Sequence, residues 1–264
     1  LLGHEVKRRA TATSWLSYSK PNPQASKRLF CFPYAGGSAV VFRSWPEALP
    51  ANVEVVAVQP PGRGARIMDA PFTSVTPLVE AVAEAVRPQL DKPFAFFGHS
   101  LGALLSFELT RRLRTLGAPP PARLFVSGTG APQPGQAHQP IHALPDSELV
   151  EALRNLNGTP AEVLDNAELM QLLLPLLRAD FEVNESYTYE DEPPLACPIT
   201  AFGGLQDQQV SRERLEAWRE QTSADFMLRM LPGDHFFIHS SQALLLRELS
   251  AELSRLVNQP RPNF

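Results

Sequence analysis

Apolar positions along the chain fall into two rhythms. Short, nearly continuous runs occur at Arg28–Phe32 (RLFCF), Val53–Val58, Phe94–Phe97, Arg123–Ser127, Pro198–Phe202 and Phe226–Leu231. Runs of this length and continuity predict strands covered on both faces. Between them lie longer stretches in which apolar residues recur every three or four positions, predicting helices at Val75–Leu90, Leu101–Leu116, Ser211–Gln221 and Ser240–Val257. In the last of these, Leu245, Leu249, Leu253 and Leu256 share one face. Strands alternating with helices imply an α/β fold, a mostly parallel sheet flanked by helices on both sides.

Residues 131–195 interrupt this alternation, with no strand pattern among them. The segment opens with a Pro- and Gly-rich loop (Pro132, Pro134, Gly135, Pro140). Helical patterns follow at Asp146–Leu156, with Asp146 as the expected N-cap, and at Ala167–Tyr189. The Leu-rich run LMQLLLPLLRADF should kink at Pro175. A helical insertion in an α/β frame reads as a lid over a site; an ordinary packing helix pair is the alternative. The expected organisation is therefore a core of residues 15–130 and 196–258, a helical lid insertion at 131–195, and flexible tails at 1–14 and 259–264. The chain opens on Leu rather than Met.

With 264 residues, 44% hydrophobic and 20% charged, the chain can bury one full α/β core. No apolar run approaches the roughly 18 residues of a membrane span, and the start lacks a secretory pattern. Cys31 and Cys197 are too few for a disulfide framework or zinc cluster. Lying in apolar runs, they are expected to be buried free thiols in a reducing, cytoplasmic compartment. The net charge is −4, although residues 1–27 carry Lys7, Arg8, Arg9, Lys20 and Lys27 against Glu5 alone. The rest is markedly acidic, which argues against nucleic acid as the main partner. No metal-ligand spacing or phosphate-binding loop is present, so no metal or cofactor is expected.

Phe94–Ala103 reads FAFFGHSLGA, an apolar strand running through Gly-His-Ser-Leu-Gly into a helix. A serine on a sharp strand-to-helix turn projects its hydroxyl above the sheet, and side chains two positions either side would clash; hence Gly98 and Gly102 around Ser100. The following helix aims its N-terminus at the reacting centre, where the macrodipole favours developing negative charge. Ser100 is therefore the expected nucleophile. The neighbouring His99 points elsewhere in such a turn and is expected to be a packed, hydrogen-bonded histidine.

A serine hydroxyl needs an imidazole to take its proton. Of the histidines beyond Ser100, His138 and His142 fall in the insertion and His239 near the start of the last helix. His235 follows the last predicted strand and the turn Pro232-Gly233-Asp234, where a loop can carry the ring over the strand ends; it is the expected base. The strand ending at Phe202 continues as Gly203-Gly204-Leu205-Gln206-Asp207, and a tight turn there would return Asp207 to His235. Asp234 could only cap its turn. The loop after Arg123–Ser127 offers no acid. For the oxyanion, one backbone N–H should be that of Leu101 and the other that of Ala35, with Tyr34 as the alternative, in the loop Tyr34-Ala35-Gly36-Gly37 after the first predicted strand; a mere glycine turn is the other reading of that loop.

Taken in order, FCFPYAGGSA, Gln59-Pro60-Pro61-Gly62-Arg63-Gly64-Ala65-Arg66, FFGHSLGA, GGLQD and GDHFF resemble the type II thioesterases of modular polyketide and nonribosomal peptide synthases. These are α/β-hydrolases, and the vertebrate medium-chain fatty acid thioesterase is similar to them. The resemblance covers about residues 15–257. It implies a Ser100–His235–Asp207 triad, an Ala35/Leu101 oxyanion hole and a mobile lid. The implied activity is hydrolysis of acyl thioesters on the phosphopantetheine arm of an acyl or peptidyl carrier protein. Its role would be removal of stalled or aberrant acyl groups. Apart from the resemblance, a monomer without cofactor is expected.

The family usually has His where this chain has Tyr34, whose side chain is expected at the substrate. In the lid, Leu173 and Leu177 would bury the acyl chain at about 0.8 kcal/mol per methylene. Arg63 and Arg66 could meet the phosphate of the arm, or tie loops together by salt bridges. Arg111, Arg112 and Arg114 could present a basic face to an acidic carrier, or line a solvated helix face. A product-releasing terminal thioesterase domain, a general carboxylesterase and a non-catalytic carrier-binding module are the alternatives.

Overall fold

The computed structural model describes residues 15–133 and 140–256. The two tails, and Pro134, Gly135 and His138, lie outside the described residues. The strands are β1 (Leu16–Ser17), β2 (Lys27–Phe32), β3 (Val53–Val58), β4 (Phe94–His99), β5 (Arg123–Ser127), β6 (Ile199–Gly204) and β7 (Phe226–Leu231). The α-helices are α1 (Trp45–Ala48), α2 (Val75–Val86), α3 (Leu101–Thr115), α4 (Asp146–Leu156), α5 (Ala161–Leu164), α6 (Ala167–Glu185), α7 (Arg212–Glu216), α8 (Phe237–Ser240) and α9 (Gln242–Arg255).

The strands form one sheet in the order β1-β3-β2-β4-β5-β6-β7, parallel except for β1, which runs antiparallel to β3. Period-two geometry divides each apolar run between the faces. Phe30, Phe32, Val56, Phe94, Phe96, Leu124 and Val126 pack on the face covered by α2 and α3, with Val79, Val82 and Phe107. Leu29, Cys31, Val55, Ala95, Phe97, Phe125 and Phe202 pack on the other, with Phe42, Trp45 and the α9 leucines Leu245, Leu249 and Leu253. Both faces are thus buried, as the continuous apolar runs required. Both thiols are free and buried, which pushes Cys31 well above the usual thiol range and Cys197 up to about 12.

Helices α4, α5 and α6 share a small apolar cluster of their own, built on Leu149, Leu153, Leu164, Met170, Leu174 and Leu177. Near the far end of α6, Val183 enters the sheet core instead, so this helix joins the insertion to the main body.

Four local expectations change. Asp146 is the first residue of α4 rather than its cap; Pro145 occupies the cap position, and the Asp146 carboxylate pairs with Arg178 on α6. Helix α6 continues through Pro175 and ends at Glu185, short of Tyr189. The helix expected at Ser211–Gln221 is α7 followed by a tighter 3₁₀ turn, Ala217–Gln221. The last helical stretch divides at Ser241 into α8 and α9.

Candidate active site

Loops after β2, β4, β6 and β7 all emerge at the carboxyl edge of the sheet. Adjacent strands β2 and β4 mark the point where chain order reverses, the position at which open parallel sheets form their crevice. Ser100 sits there, between β4 and α3, with φ 53° and ψ −120°. A non-glycine residue at positive φ is held by its surroundings. Here its N–H donates to the Ser127 carbonyl at 2.7 Å. The flanking glycines are a steric necessity. A methyl at Gly98 would stand 2.1 Å from the Gly102 carbonyl oxygen, and one at Gly102 would stand 2.2 Å from that of Phe32.

Asp207 lies three residues beyond the end of β6. The Leu205 N–H donates to the Leu231 carbonyl and the Gln206 N–H to that of Gly233, which ties this turn to the one carrying His235. The turn brings Asp207 Oδ2 to 2.9 Å from His235 Nδ1. Asp207 Oδ1 accepts from the N–H groups of Gln209 and Val210, so the buried carboxylate is fully engaged. Asp234 accepts from the Phe236 N–H and caps its own turn.

Ser100 and His235 line one cavity of about 60 Å³, together with Tyr34, Ala35, Leu177, Phe181, Phe236 and residues of α4 and the loop after it. Among the described residues, no hydrogen bond joins the Ser100 hydroxyl to the His235 ring; such bonds commonly tighten only with substrate in place. Ala35 belongs to a turn closed by the Gly37 N–H donating to the Tyr34 carbonyl at 2.8 Å. Among the described residues, the N–H groups of Ala35 and Leu101 donate to no other group.

His99 is fully buried, with Nδ1 2.9 Å from the Ser127 hydroxyl and its ring 5.4 Å from that of His235. Burial, with the nearby His235, holds it well below the usual histidine range, so it stays neutral. His239 on α8 meets the Tyr34 hydroxyl at 2.8 Å through Nε2. Burial lowers the His239 pKa and raises that of Tyr34. Tyr34 also packs edge-on against Phe236, at the cavity wall.

The remaining expected substrate contacts divide. Leu177 is at the cavity; Leu173 is not, and packs against the insertion's own cluster. Arg63 is committed to a buried ion pair with Asp180, and Arg66 pairs with Asp69 while lying 3.9 Å over the Trp15 ring. Neither arginine lines the cavity, because local carboxylate and aromatic partners claim both. The α3 arginines are likewise occupied: Arg111 by Glu108 and Glu192, Arg112 by Glu80, Arg114 by Glu192. Sequence reading missed Phe181, Phe236 and Asp180, whose places depend on where α6 and α8 dock. Among the described residues, no cluster of three His, Cys, Asp or Glu side chains could hold a metal, and no helix is long and apolar enough to cross a membrane.

A parallel sheet that sends its strand-end loops to one edge, roofed by an inserted helical unit, is the architecture of the α/β-hydrolases, and this chain is one of them. Residues 27–253 match the thioesterase domain family, and the chain belongs to it: it is a hydrolase acting on thioesters. It is 48% identical over 247 residues to the gramicidin S biosynthesis protein GrsT of Aneurinibacillus migulanus, covering 94% of this chain and 96% of that one. Among solved structures it is similar to RedJ, the thioesterase of the prodiginine pathway in Streptomyces coelicolor. That match has 45% identity and a TM-score of 0.81 over 86% of each chain. It is also similar to the type II thioesterase BorB of the borrelidin cluster, at 36% identity and a TM-score of 0.83, over 91% of this chain and 98% of that one.

Proposed function

We propose that this thioesterase removes acyl groups from the phosphopantetheine arm of acyl or peptidyl carrier proteins. Its task is to clear stalled or aberrant chains during nonribosomal peptide or polyketide synthesis in the cytoplasm. The observation that carries the reading is the 2.9 Å contact of Asp207 with His235 Nδ1, at the wall of the cavity that Ser100 also lines. The kinship with GrsT and with BorB supports the pathway context.

In this reading the Ser100 hydroxyl attacks the thioester carbonyl while His235 Nε2 takes its proton. Asp207 keeps the other ring proton on Nδ1 and stabilises the imidazolium. The carbonyl oxygen, now negative, accepts from the N–H groups of Ala35 and Leu101. The carbon–sulfur bond breaks, and His235 returns the proton to the departing thiolate. Water, activated by the same imidazole, then attacks the acyl-serine and releases the carboxylic acid. Helices α4 to α6 act as a lid whose seating encloses the acyl group. Because a hydrophobic pocket separates neighbouring chain lengths by only about 1–3 kcal/mol per methylene, broad acyl tolerance follows, as editing requires. Dependence on the pantetheine arm follows too, since remote binding contributes to the rate at the reacting carbon.

The test is mass spectrometry of several acyl-loaded carrier proteins incubated with the enzyme and with Ser100→Ala. Free holo-carrier should appear with the first and not with the second. Equal efficiency on small p-nitrophenyl esters and on carrier thioesters would instead point to a general carboxylesterase.

A further inference from the structure

Helix α6 lines the acyl cavity, yet one of its side chains is aimed elsewhere. The Asp180 carboxylate is only 5% exposed, and burial of that kind costs several kcal/mol unless every oxygen is engaged. Its Oδ2 accepts from the Gly36 N–H at 2.6 Å and from Arg63 Nη1 at 2.5 Å, while Oδ1 accepts from Arg63 Nη2 at 2.7 Å. Arg63 Nη1 also donates to the Gly37 carbonyl at 3.2 Å, and Nε to that of Pro61 at 3.1 Å. The pair therefore grips both ends of the Gly36–Gly37 segment.

That segment closes the turn carrying Ala35. Gly36 has φ +77°, and the Gly37 N–H closes on the Tyr34 carbonyl, which is a type II turn with glycine at its third position. A flip of the central peptide would leave the Ala35 N–H where it is, so what Asp180 fixes by holding the Gly36 N–H is the position of the turn as a whole against α6. One helical turn earlier on α6, Leu177 covers the same glycine: a methyl at Gly36 would stand 2.7 Å from Leu177 Cδ2. Two side chains of the lid helix, one charged and one apolar, thus bear on the turn that supplies an oxyanion donor.

We infer that Asp180, braced by Arg63, is a positioning residue that sets the oxyanion turn only while α6 is seated, so that closing the acyl pocket and completing the oxyanion hole are one event. The inference rests on the proposed role of the Ala35 N–H. It gives the insertion a catalytic consequence beyond covering the substrate. A seated α6 has an ordered hole and a fast first step; a displaced α6 leaves Gly36 without its acceptor and the hole misaligned.

The experiment compares the enzyme with Asp180→Asn, Asp180→Ala and Arg63→Lys, using a short acyl-pantetheine thioester and an alkyl boronic acid whose serine adduct carries an anionic oxygen. Rates are normalised to sites titrated with a fluorophosphonate, so misfolded protein does not count. Loss of a hydrogen bond to a charged acceptor predicts a fall in kcat of roughly 10–100-fold for Asp180→Ala. The boronate should weaken by a similar factor, with KM within about twofold. Asp180→Asn and Arg63→Lys should fall between that variant and the parent. A purely structural role predicts lower melting temperatures and fewer titratable sites, with kcat per site and boronate affinity unchanged; that result overturns the inference. Ser100→Ala separates the two readings. If it is inactive while the Asp180 variants keep full kcat per site, only the coupling fails. If Ser100→Ala hydrolyses thioester, both fail.

Discussion

Asp207 Oδ2 lies 2.9 Å from His235 Nδ1, and the carboxylate's other oxygen is fixed by the N–H groups of Gln209 and Val210. The side chain therefore cannot turn away from the imidazole without giving up both backbone bonds. Its charge, rather than its shape, distinguishes it from asparagine. In Asp207→Asn the amide can donate to Nδ1 and favour the tautomer that cannot accept the Ser100 proton. We expect kcat to fall by about 10³–10⁴-fold. The thermal midpoint should move little, since the variant fills the same space. Steady-state kinetics beside a melting curve check this, and retention of a tenth of the parent rate would remove Asp207 from the mechanism.

Gly102 tests the elbow itself. A methyl there would stand 2.2 Å from the Phe32 carbonyl oxygen and 2.7 Å from that of Pro33. Both are backbone atoms at the end of a central strand, so neither can step aside as a side-chain tip would. Gly102→Ala should cost about 3 kcal/mol, the upper end for overpacking. For a chain of this size that corresponds to a fall in Tm of roughly 6–12 °C, or to loss of folded protein on expression. Differential scanning calorimetry gives the number; an unchanged Tm would mean that the strand end and the helix start are free to separate.

What could be read from the sequence was what local sterics or continuous burial dictate. The strands stood out because Phe94–Phe97 and its neighbours are apolar on both faces, and the sheet buries both faces. The elbow stood out because Gly98, Ser100 and Gly102 fall within five residues of chain, although the atom that forbids a side chain at Gly102 is the distant Phe32 carbonyl oxygen. The two-residue β1 is too short to carry any rhythm. Asp146 looked like a cap by type and position, but its carboxylate is taken by Arg178 on another helix. The Arg63–Asp180 pair spans 117 residues, and nothing near Arg63 in sequence names its partner. The one available signal was an acid in the Leu-rich run RADF, where a charge is out of place unless something buried receives it.

His99 makes stability depend on pH in a defined sense. Burial first, then the nearby His235, keeps its ring well below the usual histidine range, and it is neutral in the folded protein. The unfolded chain takes a proton at this position as pH falls through about 6.5, and the folded one does not. The contribution is therefore complete above pH 6.5 and is lost below it, by up to about 1.4 kcal/mol per pH unit. His239, shifted in the same direction, adds a smaller loss. Urea denaturation at pH 7.5, 6.5 and 5.5 should show the parent losing stability on the acid side more steeply than His99→Asn, whatever the two stabilities are at pH 7.5. Parallel acid limbs would show that the ring takes up its proton inside the fold.

The size of the cavity lined by Ser100 and His235 makes the last prediction. Its volume of about 60 Å³ is enough for only a few waters, given that one occupies roughly 10–15 Å³ on the same measure. We expect a two- or three-carbon acyl group to fit it as it stands, and a longer chain to displace α6 or its side chains. Phe181 lies on that wall, half-buried and one residue past Asp180, so shortening it opens space without removing the carboxylate beneath. In Phe181→Ala the freed space should take further methylenes, each worth about 0.8 kcal/mol when buried. The ratio of kcat/KM for an octanoyl over a propionyl carrier thioester should rise by about tenfold or more. The propionyl rate itself should change by less than about threefold, since its acyl group does not reach the vacated volume. A variant that loses both substrates equally would show that Phe181 supports the closed form of the lid rather than measuring the chain inside it.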